Sequence, residues 1–384
     1  MNSKEINAFI KKHWKRLSDH ELAAKCRISK SAIEHRRDRL NLNRLAIPIA
    51  PKEAVEQQTR KMREADEKKA QRDREKYLIE ENGRLQRELT AALSLTEEVK
   101  PRSIIKSASP GGEATMIALA SDWHIEERVR PGDVNGLNEY TLEIAQRRAD
   151  HYFSTLLRLI EIEQQNTKVD HVVLALLGDF ITGDIHEELV EITDLEPTFA
   201  ARRAEEIIVS GIEHLLAKSK LKITCIAHSG NHARTTKDQR HSTENGHSLE
   251  WLIYMAMKDR YHGNPRVQFH VPQAYHSYLT VYDKTIRFHH GHAINYGGGV
   301  GGITIPVRKA IAQWNTLKTA DVDCFGHFHQ SFDGGNFVCN GSMIGYNAYA
   351  LSIKAAYEEP IQMLFGIHSK LGKYITRSIK FIYD

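Results

Sequence analysis

A layered α/β sandwich, preceded by a small helical unit and one long helix, is the architecture this 384-residue sequence predicts. Three observations carry the expectation. Beyond residue 115, short apolar runs alternate with amphipathic stretches and then give way to a strand-rich half. Before residue 100 the chain is far more polar, and residues 52–98 are nearly uninterrupted helix formers. Between them, residues 101–114 (PRSIIKSASPGGEA) are rich in Pro, Ser and Gly with little to bury, the composition of a linker.

Residues 1–48 form the first unit. Ile6, Phe9, Ile10, Trp14 and Leu17 mark an amphipathic stretch, and Ser18-Asp19-His20-Glu21 is a capping box opening a short helix to Cys26. After a turn at Arg27-Ile28-Ser29, a further helix runs from Lys30 to about Leu42. Helix, turn and helix, preceded by another helix, is a helix-turn-helix plan. Its core is expected from Leu22, Ala23, Ile28, Ile33 and Leu40, with Lys30, His35, Arg36, Arg37 and Arg39 on the outer face as DNA-binding candidates. Residues 1–45 hold 12 Lys/Arg against 5 Asp/Glu, about +7 of charge in a chain whose net charge is +4. A concentrated basic end suits a polyanion such as DNA; a protein-interaction module with a solvated basic face is the alternative.

Residues 49–100 predict a long solvated helix. Val55–Met62 and Leu78–Leu85–Ala92 repeat at seven, but Lys69 and Lys76 break the first register, so a coiled coil and homo-oligomer are open rather than required. In the remainder, 115–384, strands are expected at 116–121, 169–177, 222–228, 267–271, 277–282, 285–289 and 322–325, with paired strands closing the chain. Helices are expected at 139–163, 198–217, 249–261 and 305–316. The four cysteines are scattered without a C-x-x-C pair, no apolar leader opens the chain, and no run approaches a membrane span. A soluble protein of a reducing cytoplasm, with no membrane partner, is the expectation.

The chemistry sits just after the strands, where ligands of α/β sheets collect. Asp122-Trp123-His124 follows the first, Gly178-Asp179 the second and Gly230-Asn231-His232 the third. His289-His290-Gly291-His292 and Gly326-His327-Phe328-His329 follow later ones. Any one of these is an ordinary turn or cap; five in order, each at a strand end, indicate a constructed site. On extended backbone the outer residues of D-x-H and H-x-H share a face, so each pair is expected to reach one cation. Carboxylate, imidazole and amide oxygen without thiolate suit two divalent metals such as Mn, Fe, Zn or Ni.

The series DWH, GDFITGD, GNH, HHGH and GHFH resembles the calcineurin-like metallophosphoesterases, including Mre11/SbcD-type nucleases. The resemblance implies a four-layer αββα sandwich and two metals, Mn foremost. It implies Asp122, His124 and His329 on one metal and Asn231, His290 and His327 on the other, with Asp179 bridging both. His290 is preferred to His289 because the family's ligand directly precedes the glycine. It also implies a bridging hydroxide attacking phosphorus in line, with His232 as the catalytic histidine near the phosphate. The family's G-N-H is commonly followed by an acidic residue; here Ala233 and Arg234 follow, so whatever orients His232 lies elsewhere. Arg234 and His292 are candidate substrate contacts, Gly297–Gly302 a loop or mobile cover, and Asn340-Gly341-Ser342 a structural strand ending.

The helix-turn-helix and the long arm point to nucleic acid, so the expected activity is that of a nuclease or DNA-processing phosphodiesterase. A protein or small-molecule phosphatase, and a DNA-binding or assembly protein with a secondary metal site, are the alternatives. The arrangement is similar to phage and prophage phosphoesterases, which implies a bacterial cytoplasm.

Overall fold

The computed structural model describes residues 1–42, 51–94, 111–296 and 302–381, and the chain divides into two compact units, Met1–Ile105 and Lys106–Asp384. Most of the linker expected at 101–114 and of the glycine run lies outside the described residues.

In the first unit, α1 (Ser3–His13), α2 (Asp19–Cys26) and α3 (Lys30–Arg39) pack Ile6, Ile10, Leu22, Ala23, Cys26 and Ile33 together, with Ile28 and Leu40 at the edge. Ser18 and Glu21 close the capping box on α2, and Ser29 caps α3. Arg27 ends α2 in the left-handed conformation, which lets three residues turn the chain into α3. The outer face differs from expectation. Arg37 pairs with Asp19 at 2.6 Å, and Arg36 donates to Ser3 Oγ and Asn7 Oδ1 at 2.9 and 3.1 Å. These two guanidiniums brace the helices against one another, leaving Lys30, His35 and Arg39 exposed. The expected helix over 52–98 is α4 (Pro51–Ser94); its described side chains are nearly all exposed, Leu78 and Leu85 included.

The second unit opens with β1 (Glu113–Ala120), α5 (Leu142–Gln164), β2 (Lys168–Leu176), the short α6 (Glu187–Ile192), α7 (Pro197–Lys218), β3 (Lys222–Ala227), α8 (Leu249–Arg260) and β4 (Val267–His270). There follow β5 (Ser277–Val281), β6 (Lys284–Phe288), α9 (Thr304–Asn315), β7 (Val322–Phe325), β8 (Phe332–Asp333), β9 (Phe337–Cys339), α10 (Ala348–Ser352), β10 (Ile361–His368) and β11 (Gly372–Lys380). One sheet has the order β11-β10-β1-β2-β3-β4, with β1 to β4 parallel and β10 antiparallel to both its neighbours. The other has the order β5-β6-β7-β9-β8.

Alternation along the strands fixes the layers. Met116, Ala118 and Ala120 of β1 face a core shared with α5, α7 and α8, whereas Ile117 and Leu119 face Ile286, Phe288 and Val322 of the second sheet. Beyond that sheet, Phe325, Phe337 and Cys339 meet Val307 and Ile311 of α9. Helix, sheet, sheet and helix make the four layers. All four cysteines are buried and free, and among the described residues no helix is long and apolar enough to cross a membrane.

Candidate metal centre

The carboxyl ends of β1, β2, β3, β6 and β7 bring the five expected segments together. Asp122, His124 and His329 each offer a ligand atom within 4.8 Å of the others, and Asp179, His290 and His327 form a second such group. Asn231 joins the second, its Oδ1 3.1 Å from His290 Nε2. A third group of the same tightness joins His124, Asp179 and His232, so Asp179 stands between the other two. His124 Nε2 and His329 Nε2 face each other at 3.3 Å. Two imidazole nitrogens this close beside a carboxylate suit a shared cation.

The backbone is not the extended one the spacing suggested. Asp122, His124, Asp179, His327 and His329 all hold φ between 48° and 70°, five of the ten non-glycine residues with positive φ among those described. Left-handed residues are costly away from glycine and gather where function over-determines them. The H-x-H pair is accordingly split: His327 turns to Asp179 and His329 to Asp122. The loops interlock to hold this, with the Asp122 amide donating to Gly178 O at 2.9 Å and the Trp123 amide to Asp179 O at 2.8 Å. A Cβ on Gly178 would stand 2.1 Å from the Gly230 amide nitrogen, so the ends of β2 and β3 approach only because that residue is glycine.

Electrostatics follow from burial. Desolvation, with His232 and His329 nearby, holds His124 well below the usual imidazole range and therefore neutral. Burial works against the His290 imidazolium, but Asp179 at 2.9 Å and Asp122 overcome it and lift that ring to about 10. Burial would raise Asp179, and the surrounding imidazoles, His290 first, hold it well below its ordinary value instead. His327, desolvated beside His290, falls to about 3.

Other expected residues land elsewhere. His289 stacks on Phe325 beside Trp314, with Nε2 3.7 Å from Asp323; His290 is the one that faces Asp179. His292 belongs to neither ligand group; its Nε2 lies 3.4 Å from Glu244 Oε1. Arg234 is not a free anion receptor. It donates to the carbonyls of Asn231, Thr236 and Lys237, pinning the loop after β3. His232 Nδ1 donates to the Thr182 carbonyl at 2.9 Å, which supplies the orienting partner the sequence did not reveal.

Several supporting residues gave no sequence signal. Glu250 accepts from the amides of Phe180 and Gly230 at 2.6 and 2.8 Å, tying the Asp179 loop to the Asn231 loop. Glu126 accepts from the amides of Thr182 and Gly183. In sequence Glu250 is an ordinary acidic residue of a first helical turn; only the Glu126-Glu127 pair, charged between apolar Ile125 and Val129, hinted at burial. Asn340, expected to be structural, donates to Ser121 Oγ and Gln362 Oε1, steadying the loop that carries Asp122.

No family model and no curated protein matches the sequence. Among solved structures, an archaeal phosphodiesterase is similar at 16% identity and a TM-score of 0.29, covering 69% of this chain and 99% of its own. A predicted phosphoesterase from Streptococcus pneumoniae TIGR4 shares 13% identity at a TM-score of 0.27, over 70% of this chain and 98% of its own. Entamoeba histolytica Vps29 complexed with zinc shares 11% at 0.25, over 69% of this chain and 98% of its own. Likeness at this level leaves the chemistry to the site's own geometry.

Proposed function

We propose that this protein is a two-metal phosphodiesterase acting on nucleic acid. The observation that carries the reading is the pair of ligand groups, Asp122–His124–His329 and Asp179–His290–His327, with Asp179 between them and Asn231 beside the second. The donor set fits borderline divalent cations, Mn foremost with Fe, Zn or Ni also permitted. His290 already donates Nδ1–H to the Leu177 carbonyl at 2.6 Å, aiming Nε2 inward as a ligating imidazole requires.

Bound there, two cations would supply a water-derived nucleophile at neutral pH and neutralise charge developing on phosphorus. The residues do the rest. Asp179, held by the His232 amide at 2.8 Å, fixes the spacing between the two ligand groups. His232, anchored through Nδ1, presents Nε2 toward the reacting phosphate, where its doubly protonated form would stabilise developing charge or protonate the leaving oxygen. The exposed Lys30, His35 and Arg39 of α3 would contact DNA phosphates, and the Leu78 and Leu85 repeat on α4 would join two copies of the chain.

The test is Mn²⁺-dependent hydrolysis of labelled single- and double-stranded DNA beside bis-p-nitrophenyl and p-nitrophenyl phosphate, with His232→Ala as control. Cleavage of DNA and the diester, lost in the variant, is the expected result. Turnover of the monoester alone would overturn the nucleic-acid substrate and leave the metal site standing.

A further inference from the structure

Thr182, fully buried on the loop after β2, has every polar atom engaged, on four different partners. Its amide donates to Glu126 Oε1 at 2.7 Å and its carbonyl accepts from His232 Nδ1 at 2.9 Å. Its hydroxyl donates to Glu127 Oε2 at 3.1 Å and lies 3.1 Å from His124 Nδ1. Glu127 is itself fixed, because its other oxygen accepts from Asn347 Nδ2 at 2.8 Å.

The hydroxyl has a single proton; burial raises the Glu127 carboxyl, the hydrogen bonds from Asn347 and Thr182 oppose that rise, and as a carboxylate it can only accept. With that proton on Glu127, the threonine oxygen can only accept from His124, which must then carry its proton on Nδ1. The lone pair on His124 Nε2 is thereby turned toward His329 and Asp122. A carbonyl likewise only accepts, so His232 also carries its proton on Nδ1. We propose that Thr182 is a positioning residue that sets the ring tautomers of both His124 and His232, by its hydroxyl for one and its carbonyl for the other, with Glu127 orienting the hydroxyl. The consequence for catalysis rests on the two-metal reading; the tautomers themselves do not.

The experiment uses the metal-free full-length chain labelled with ¹⁵N-histidine, its His124 and His232 ring signals assigned with His124→Gln and His232→Ala. Both rings should show the Nδ1–H form. In Thr182→Val, which keeps the carbonyl and loses the hydroxyl, His124 should lose its single tautomer while His232 keeps its own; Thr182→Ser should restore His124. Glu127→Gln should reverse the His124 tautomer: Asn347 holds the amide oxygen, the amide NH₂ faces Thr182, and the hydroxyl turns its proton to His124 Nδ1, giving the Nε2–H form. Calorimetry with Mn²⁺ should show affinity about 10–100-fold weaker in Thr182→Val and recovered in Thr182→Ser. An unchanged His124 tautomer in Thr182→Val, or rings that change together, overturns the proposal. If the valine variant does not fold, an unchanged tautomer in Glu127→Gln overturns it alone. A wild-type protein that binds no Mn²⁺ would sink the two-metal reading, while the ring signals still decide the role of Thr182.

Discussion

Gly326→Ala probes the site without removing any ligand. Its backbone is compatible with alanine, so the effect is purely steric: the new methyl would stand 2.2 Å from Asp122 Oδ2 and 2.3 Å from Ser121 Oγ. Ordinary contact needs about 3.5 Å, so the carboxylate must retreat by roughly 1 Å. It cannot do so freely. Ser121 Oγ donates to Asp122 at 2.5 Å, the His327 amide at 3.0 Å, and Ser121 is in turn held by Asn340 and by Gln362 through its amide. Overpacking of this kind costs about 1–3 kcal/mol of stability. A misplacement of about 1 Å costs on the order of 100-fold in rate. The expected outcome is a folded variant with one weakened cation site, the one built from Asp122, His124 and His329, and roughly 100-fold slower diester hydrolysis. Metal stoichiometry and affinity by calorimetry, beside turnover of bis-p-nitrophenyl phosphate, make the check. Two cations bound as tightly as in the wild type, with unchanged turnover, would refute the placement of Asp122.

Asp179→Asn should abolish turnover, a loss of about 10³-fold or more, since an amide cannot bridge two cations; a circular dichroism melt should still show a cooperative fold, and normal turnover would end the bridging assignment. Deleting residues 1–100 should spare hydrolysis of a small diester and weaken DNA binding, measured as affinity against salt; unchanged, salt-insensitive affinity would remove the case for the N-terminal module. In the metal-free protein His290 is raised to about 10, above its ordinary 6.5, so its contribution to stability is present below 6.5 and lost as pH rises toward 10. A cation must displace that proton, so affinity should rise with pH across this window, and calorimetry in buffers of different ionisation enthalpy should detect proton release near pH 7; none released would count against His290 as a ligand.

The sandwich was legible because β1, β3 and the second half of β2 are short apolar runs bounded by polar residues, and α5 and α7 have clear amphipathic periodicity. The site segments were legible because their residue types recur at strand ends. Three misreadings have one origin. Reading D-x-H and H-x-H as extended backbone ignored the left-handed φ at Asp122, His124, His327 and His329; Asp and His enter that region more readily than most residues, but residue type alone does not say where they do. Reading Arg36 and Arg37 as a DNA-facing surface ignored that helical position alone does not say which face of a three-helix unit is inner; Asp19, eighteen residues away, decides Arg37. Arg234 likewise reads as a phosphate ligand until its three carbonyl partners are seen. Long-range pairing is what the local pattern lacks.

Those long-range pairs also explain how so strained a site persists. Left-handed residues just beyond the strand ends aim carboxylates and rings toward one another, but they leave neighbouring amides without strand partners. Buried amides cannot go unpaired, so each must find an acceptor from elsewhere in the chain. Glu250 takes two of them and Glu126 two more, and burial pushes these carboxyls to about 8 and about 7. An acidic group so far from water is tolerated because two backbone N–H groups share it. The geometry that gathers the ligand groups and the buried acids that staple it are therefore one structure, and substituting Glu250 should loosen Asp179 and Asn231 together even though it touches neither side chain.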